Sequence, residues 1–136
     1  MRVVFDTNIY ISAFVIPGSR AEVAIRRIVE GSDILILSRP IVQELISTLS
    51  RKFSRDREEL AHMAVFLAEI SELCRPRKKI AILKDEPDNR ILECAMAGKA
   101  DAVVTGDRAM LSLGQYQGIR ILSLKEYLES SQSHTK

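Results

Sequence analysis

At 136 residues, 46% of them hydrophobic and 28% charged, the chain is long enough to close one hydrophobic core without disulfides or a structural metal. With 6 Gly and 4 Pro it has neither the composition of a fibrous protein nor that of a disordered one. A formal net charge of +2 is too small to imply a nucleic-acid partner, so where the basic residues cluster matters more than how many there are.

The first predicted element is a strand over Val3-Val4-Phe5, an unbroken β-branched and aromatic run suited to a strand covered on both faces. It delivers Asp6 to its carboxyl end, where an open α/β sheet places its ligand crevice. The competing reading is that Asp6 or Thr7 caps the next helix. That helix, Asn8 to Val15, stops at Pro17-Gly18. Ser19 and Glu22 have capping-box spacing at the head of a helix whose apolar stripe is Ala21, Ala24, Ile25, Ile28 and Val29, with Gly31 as terminator. Ile34 to Leu37 is the second buried strand. Ser38 can cap a third helix with Pro40 in its first turn and Ile41, Val42, Leu45, Ile46 and Leu49 on its inner face. Asp56 and Glu59 open a long helix running up to Cys74.

Ile80 to Leu83 reads as the third strand. Asp88 to Ala97 is a helix stopped by Gly98, and Ala102 to Thr105 is a strand. Gly106-Asp107 leads into a short helix over Ala109 to Leu113, ended by Gly114. Ile119 to Leu122 is the last strand, and Ser123 with Glu126 boxes the final helix. This alternation predicts an α/β fold of three layers, α/β/α, with a central parallel sheet of four to five strands and helices on both faces. A single domain spans 1–129, followed by a flexible polar tail over 130–136.

Cys74 and Cys94 are isolated thiols with no CxxC spacing, which argues against zinc and suits a reducing cytoplasm. No apolar run approaches the roughly 20 residues of a membrane span, and Asp6 interrupts the N-terminus before a signal-peptide core could form. The expected setting is therefore cytoplasmic, with no membrane contact. Two basic clusters, Arg51, Lys52, Arg55 and Arg57, then Arg75, Arg77, Lys78 and Lys79, either form solvated surface or combine into one electropositive rim.

Asp88 projects onto the helix face of Ile91, Leu92 and Ala95, so it needs a cation or a wet cleft at the helix end; stabilisation by the helix dipole is the alternative. Glu44 falls about 130° from the centre of its helix's apolar face, which by pattern is solvent. If the strands ending at Asp6 and Thr105 are neighbours, Asp6 and Asp107 face one crevice.

Phe5-Asp6-Thr7-Asn8, Glu44 after the second strand, Asp88-Asn89-Arg90-Ile91-Leu92 and Val104-Thr105-Gly106-Asp107-Arg108 together resemble the acidic motifs of the PIN domain, in its VapC-like toxin branch and related small prokaryotic proteins. The resemblance runs from Arg2 to about Leu128. It implies a metal-binding and catalytic quartet of Asp6, Glu44, Asp88 and Asp107, with Asn8 and Thr105 as supporting polar groups. It also implies cleavage of single-stranded RNA with Mg²⁺ or Mn²⁺ as cofactor, a homodimer and a small antitoxin partner. One departure stands out: Ala109 occupies a position where many PIN sequences carry another acid.

Clustered carboxylates repel one another unless hard cations neutralise them, and a pair of Mg²⁺ ions supports phosphodiester hydrolysis without a protein nucleophile. His62 lies off its helix's apolar stripe and His134 in the tail, so neither is expected to act. The RNA backbone would be held by Arg51, Lys52, Arg55, Arg75, Arg77, Lys78 and Lys79. Two other readings remain open: a catalytically silent PIN scaffold that binds RNA or a protein, and a haloacid dehalogenase-type phosphatase, which wants an acid where this chain has Asn8.

Overall fold

A computed structural model of the chain describes residues 1–133. Its elements in chain order are β1 (Arg2–Phe5), α1 (Thr7–Val15), α2 (Arg20–Val29), β2 (Ile34–Ser38), α3 (Arg39–Phe53), α4 (Arg57–Ile70), β3 (Ser71–Cys74), α5 (Glu86–Ala97), β4 (Ala102–Val104), α6 (Arg108–Leu111), β5 (Gln115–Tyr116), β6 (Ile119–Leu122) and α7 (Leu124–Ser133). The sheet order is β3-β2-β1-β4-β6-β5, with every pairing parallel except the β5–β6 ribbon. Five strands are thus parallel, and the two-residue β5 covers one edge.

The central strands are apolar because both faces are covered. Val3, Val4, Phe5, Ala102, Val103 and Val104 are all fully buried. Phe5 meets the rings of Tyr10 from α1 and Tyr127 from α7, at centroid distances of 5.9 and 5.6 Å. Elsewhere on the sheet α5 packs across β1, β2 and β4. The strand order changes direction at β1, since β2 lies on one side of it and β4 on the other. That switch point opens a crevice at the carboxyl ends of β1 and β4.

Several local expectations change. The helix predicted to run to Cys74 ends at Ile70, and Ser71–Cys74 is the edge strand β3, paired in parallel with β2 from Leu35↔Ser71 to Ser38↔Cys74. An edge strand has one neighbour, and Glu72 and Leu73 are exposed, so its sequence carries no strong inward pattern. Conversely Ile80 to Leu83 is a loop, not a strand. The backbone of its two end residues is satisfied by α5 side chains, while Ala81 and Ile82 between them are exposed: Ile80 N–H donates to Glu93 (2.9 Å), Ile80 C=O accepts from Arg90 (3.2 Å), and Leu83 N–H and C=O both pair with the Asn89 amide (2.9 Å each). With those bonds made, no neighbouring strand is needed.

Ser38 occupies the position before α3 but makes no cap hydrogen bond. Ser19 and Asp56 do cap, accepting from Glu22 N–H (3.3 Å) and Glu59 N–H (2.9 Å), and Ser123 and Glu126 form the full reciprocal box. The final helix continues to Ser133, into the stretch expected to be a flexible tail; His134 lies outside the described residues.

Gly98 does end α5, but not through a left-handed conformation, since its φ is −88°. The reason is closeness. A Cβ here would overlap Ile36 Cγ2 and crowd the Cys94 carbonyl at 3.2 Å, while the Gly98 carbonyl accepts from Arg2 Nε (3.1 Å) and Nη2 (2.7 Å). Gly98→Ala should therefore destabilise the fold by about 1–3 kcal/mol, the cost of overpacking, although alanine is the better helix former. Chemical denaturation of a double-mutant cycle with Ile36→Ala checks the cause: the paired variant should cost less than the sum of the single ones, and strict additivity would rule the contact out.

Candidate active site

The chain leaves β1 through Asp6, whose N–H donates to the Val104 carbonyl of β4 at 2.9 Å. That bond holds the ends of the two strands level. Thr105, which follows β4 directly, is fully buried and donates its Oγ1 hydrogen to Asp6 Oδ2 at 2.6 Å. The same hydroxyl oxygen accepts from Asp107 N–H at 3.0 Å. One threonine hydroxyl therefore connects the carboxylate after β1 to the backbone that carries the acid after β4.

Asp6 is 5% exposed and stands at the head of α1 without making a cap hydrogen bond. Burial pushes its pKa up and the charge of Asp107 adds to this; the Thr105 hydroxyl and the backbone N–H groups of Asn8 and Thr7 offset part of the shift. Asp6 occupies the N-cap position of α1, but the firmest hydrogen bond it accepts is from Thr105. Asp107 does cap, accepting from Met110 N–H through Oδ1 (2.9 Å) at the head of α6. Asn8 contributes through its backbone, because its side chain is exposed.

Asp88 lies in the first turn of α5, on the inward face that its helical position indicated, and is 6% exposed. Its Oδ2 is buried and has no hydrogen-bond partner among the described residues. Burial, followed by the charges of Asp6, Asp107 and Asp85 and a hydrogen bond that protonated Asp88 shares with Asp107, raises its pKa to about 7; the Oδ2 orphan is that of the ionised carboxylate. Three carboxyls from β1, α5 and the end of β4 thus act on one another electrostatically, and no cationic side chain stands among the causes of the Asp6 and Asp88 shifts. As placed, no three acidic, histidine or cysteine side chains among the described residues are grouped closely enough to enclose an ion. The donor set is nevertheless all oxygen, the chemistry a hard divalent cation selects, and the unpartnered Asp88 oxygen is a donor held ready in a buried place.

Glu44 is half-buried, which its helical pattern did not indicate, and accepts from Thr48 Oγ1 at 3.4 Å. It lines a cavity of about 310 Å³ together with Thr7, Gln43, Glu86, Pro87 and Arg90. Thr7 follows Asp6 directly, so this cavity adjoins the carboxylate cluster. Gln43, Glu86 and Arg90 were not singled out from sequence. Arg90 is held by Glu86 (3.2 Å) and Glu93 (2.8 Å), and the i,i+4 spacing of Glu86 and Arg90 around Asp88 was the available signal.

The two basic clusters border different cavities. Arg51, Lys52 and Arg57 are exposed about the α3–α4 turn, and Arg55 pairs with Glu59 at 3.0 Å beside Phe14, Leu49 and Leu60. Arg75, Arg77, Lys78 and Lys79 flank α5, lining cavities of about 790 and 620 Å³ that both include Glu93. Ala109 is exposed on α6, and His62 is exposed on α4.

The two upward carboxyl shifts have a definite sign. A raised pKa means that the folded chain holds a proton the unfolded chain has released, so stability falls as pH rises from 3.8 through about 7. With a chelator present, Asp88→Asn should flatten that decline and be more stable than the parent above pH 7. Denaturant midpoints measured across the pH series check this, and parallel curves for the two proteins would contradict it.

The family profile described as PIN domain matches residues 2–109. An uncharacterized protein of Methanocaldococcus jannaschii is 26% identical over 132 residues, covering 92% of this chain and 84% of that protein. Among solved structures, VapBC-1 from nontypeable Haemophilus influenzae is similar with a TM-score of 0.65 at 18% identity, covering 92% of this chain and 99% of that one. VapBC2 from Rickettsia felis, bound to a DNA fragment from their promoter, has a TM-score of 0.64 at 14% identity, covering 90% and 98%. FitAcB from Neisseria gonorrhoeae has a TM-score of 0.53 at 16% identity, covering 90% and 98%. These likenesses establish a shared fold. With the profile spanning most of its length and the carboxylates gathered at the β1–β4 switch point, this chain belongs to the PIN domain family.

Proposed function

We propose that the chain is a divalent-metal-dependent endoribonuclease, the toxin of a toxin–antitoxin pair, acting as a homodimer in the cytoplasm and held in check by a small antitoxin. PIN domains are generally nucleases, and VapBC assemblies pair such a toxin with its antitoxin. No helix among the described residues is long and apolar enough to cross a membrane. The observation that carries the reading is the buried, unpartnered Oδ2 of Asp88 beside the charges of Asp6 and Asp107.

Asp6, Asp88, Asp107 and Glu44 are the residues that would hold Mg²⁺ or Mn²⁺. When bound, such an ion neutralises the carboxylates, orients a phosphate and activates a water. The chain's own groups prepare for this. Thr105 donates to Asp6 Oδ2 and the Met110 N–H donates to Asp107 Oδ1, and these bonds fix the rotation of the two carboxylates. Both acids are thereby oriented before any ion arrives. The exposed basic side chains hold the RNA backbone without reading bases. With His62 exposed on α4, away from the carboxylates, no imidazole is assigned the role of general base.

Asp6→Asn should abolish RNA cleavage in Mg²⁺ or Mn²⁺ and leave the fold intact by circular dichroism. Thr105→Val, which removes only the orienting hydroxyl, should lower cleavage by about 10–100-fold, the usual effect of an outer-shell partner. Undiminished cleavage by Asp6→Asn would exclude this site. RNA binding unaffected by chelator, with no cleavage by the parent, would mark the chain as a silent scaffold, the alternative that Ala109 leaves open.

Because the basic clusters border different cavities, their roles can be tested one at a time. Replacing Arg75 and Lys78 with Glu should weaken single-stranded RNA binding and lower its salt slope by roughly 0.7 for each phosphate left unneutralised. The same replacements at Arg51 and Lys52 report on the α3–α4 turn. Titrations at several salt concentrations read both, and a cluster whose reversal changes neither affinity nor slope is plain surface.

A further inference from the structure

We propose that Cys74 and Cys94 form a reversible thiol–disulfide site, closed by hydroperoxides, that joins the end of β3 to the middle of α5. Both cysteines are free, and their Sγ atoms lie 3.5 Å apart across 20 residues of chain. A disulfide is about 2.05 Å long, so closing the bond needs an approach of roughly 1.5 Å, within reach of side-chain rotation and a small shift of a short edge strand. The edge position of β3 allows that shift, since it is held on one side alone, by β2.

The two thiols are not equivalent. Cys94 is fully buried, whereas Cys74 is half-buried and lines the cavity of about 790 Å³ whose rim carries Arg39, Arg75, Arg77 and Lys78. A small peroxide can therefore reach Cys74 through this cavity. The hydrogen bond with Cys94 draws the Cys74 pKa below its ordinary value; burial and Glu72 oppose this, and Arg2 assists it. That same hydrogen bond, together with burial, pushes the Cys94 thiol up. Access makes Cys74, which lines the cavity, the attacking sulfur and the fully buried Cys94 the resolving one.

In the first step the Cys74 thiolate attacks one oxygen of the hydroperoxide and the O–O bond breaks. The departing oxygen takes a proton and leaves as water or an alcohol, and Cys74 becomes a sulfenic acid. Cys94 Sγ then attacks Cys74 Sγ, the S–O bond breaks, and the hydroxide leaves as water with the Cys94 proton. Two thiols lose two electrons in all, the peroxide gains them, and a dithiol reductant reverses the change. The disulfide encloses residues 75–93, which carry the second basic cluster and Asp88.

The test uses the full chain, reduced, freed of reductant, exposed to hydrogen peroxide, quenched with catalase and alkylated with N-ethylmaleimide under denaturing conditions. Intact mass should show two maleimides on the reduced chain and none on the oxidised one, which should be lighter by two hydrogens. Peptide mapping should join Cys74 to Cys94, and dithiothreitol should restore both thiols. In Cys94→Ser, dimedone should label Cys74 after peroxide; in Cys74→Ser, Cys94 should stay unlabelled. Two maleimides after peroxide, or disulfides that join two chains, would overturn the proposal. None of these readings uses RNA cleavage, so the site stands or falls independently of the nuclease assignment.

Discussion

A hydrogen bond between residues 99 positions apart, from the Thr105 hydroxyl to the Asp6 carboxylate, expresses the constraint on which this molecule depends. The sheet must place β1 beside β4 for that bond to exist, and it does so because the strand order changes direction at β1. Everything acidic follows from this adjacency. Asp6 and Asp107 leave neighbouring strands at the same edge, and α5, packed across β1 and β4, brings Asp88 to them. Carboxyls that raise one another's pKa are a standing cost to the fold, and the surrounding apolar sheet supplies the stability that tolerates them.

What sequence could reveal depended on how many neighbours each segment has. Val3 to Phe5 and Ala102 to Val104 were legible as strands because burial on both faces demands an unbroken apolar run. Asp88 was legible as an inward carboxylate because its helical position coincides with Ile91, Leu92 and Ala95. Ser71–Cys74 was not legible: with one partner and exposed Glu72 and Leu73, it prolongs the polar pattern of α4. Ile80 to Leu83 misled in the opposite direction, since its β-branched residues look strand-like while the amides of its two end residues are served by helix side chains. Glu44 failed for a third reason. A helical wheel measures direction from its own helix, and the wall that half-buries Glu44 includes Glu86, Pro87 and Arg90 of α5.

The pairing of the 80–83 loop with Asn89, Arg90 and Glu93 also shapes how the molecule breathes. Sheet strands share their amides with other strands, so they open only when the sheet does. Here the loop shares its amides with the same helical turns that seat Asp88, and Asn89 is fully buried while doing so. Loop and helix head therefore make one cooperative unit: exposing the Leu83 amide to solvent exchange also releases Asn89, and with it the ground on which Asp88 stands.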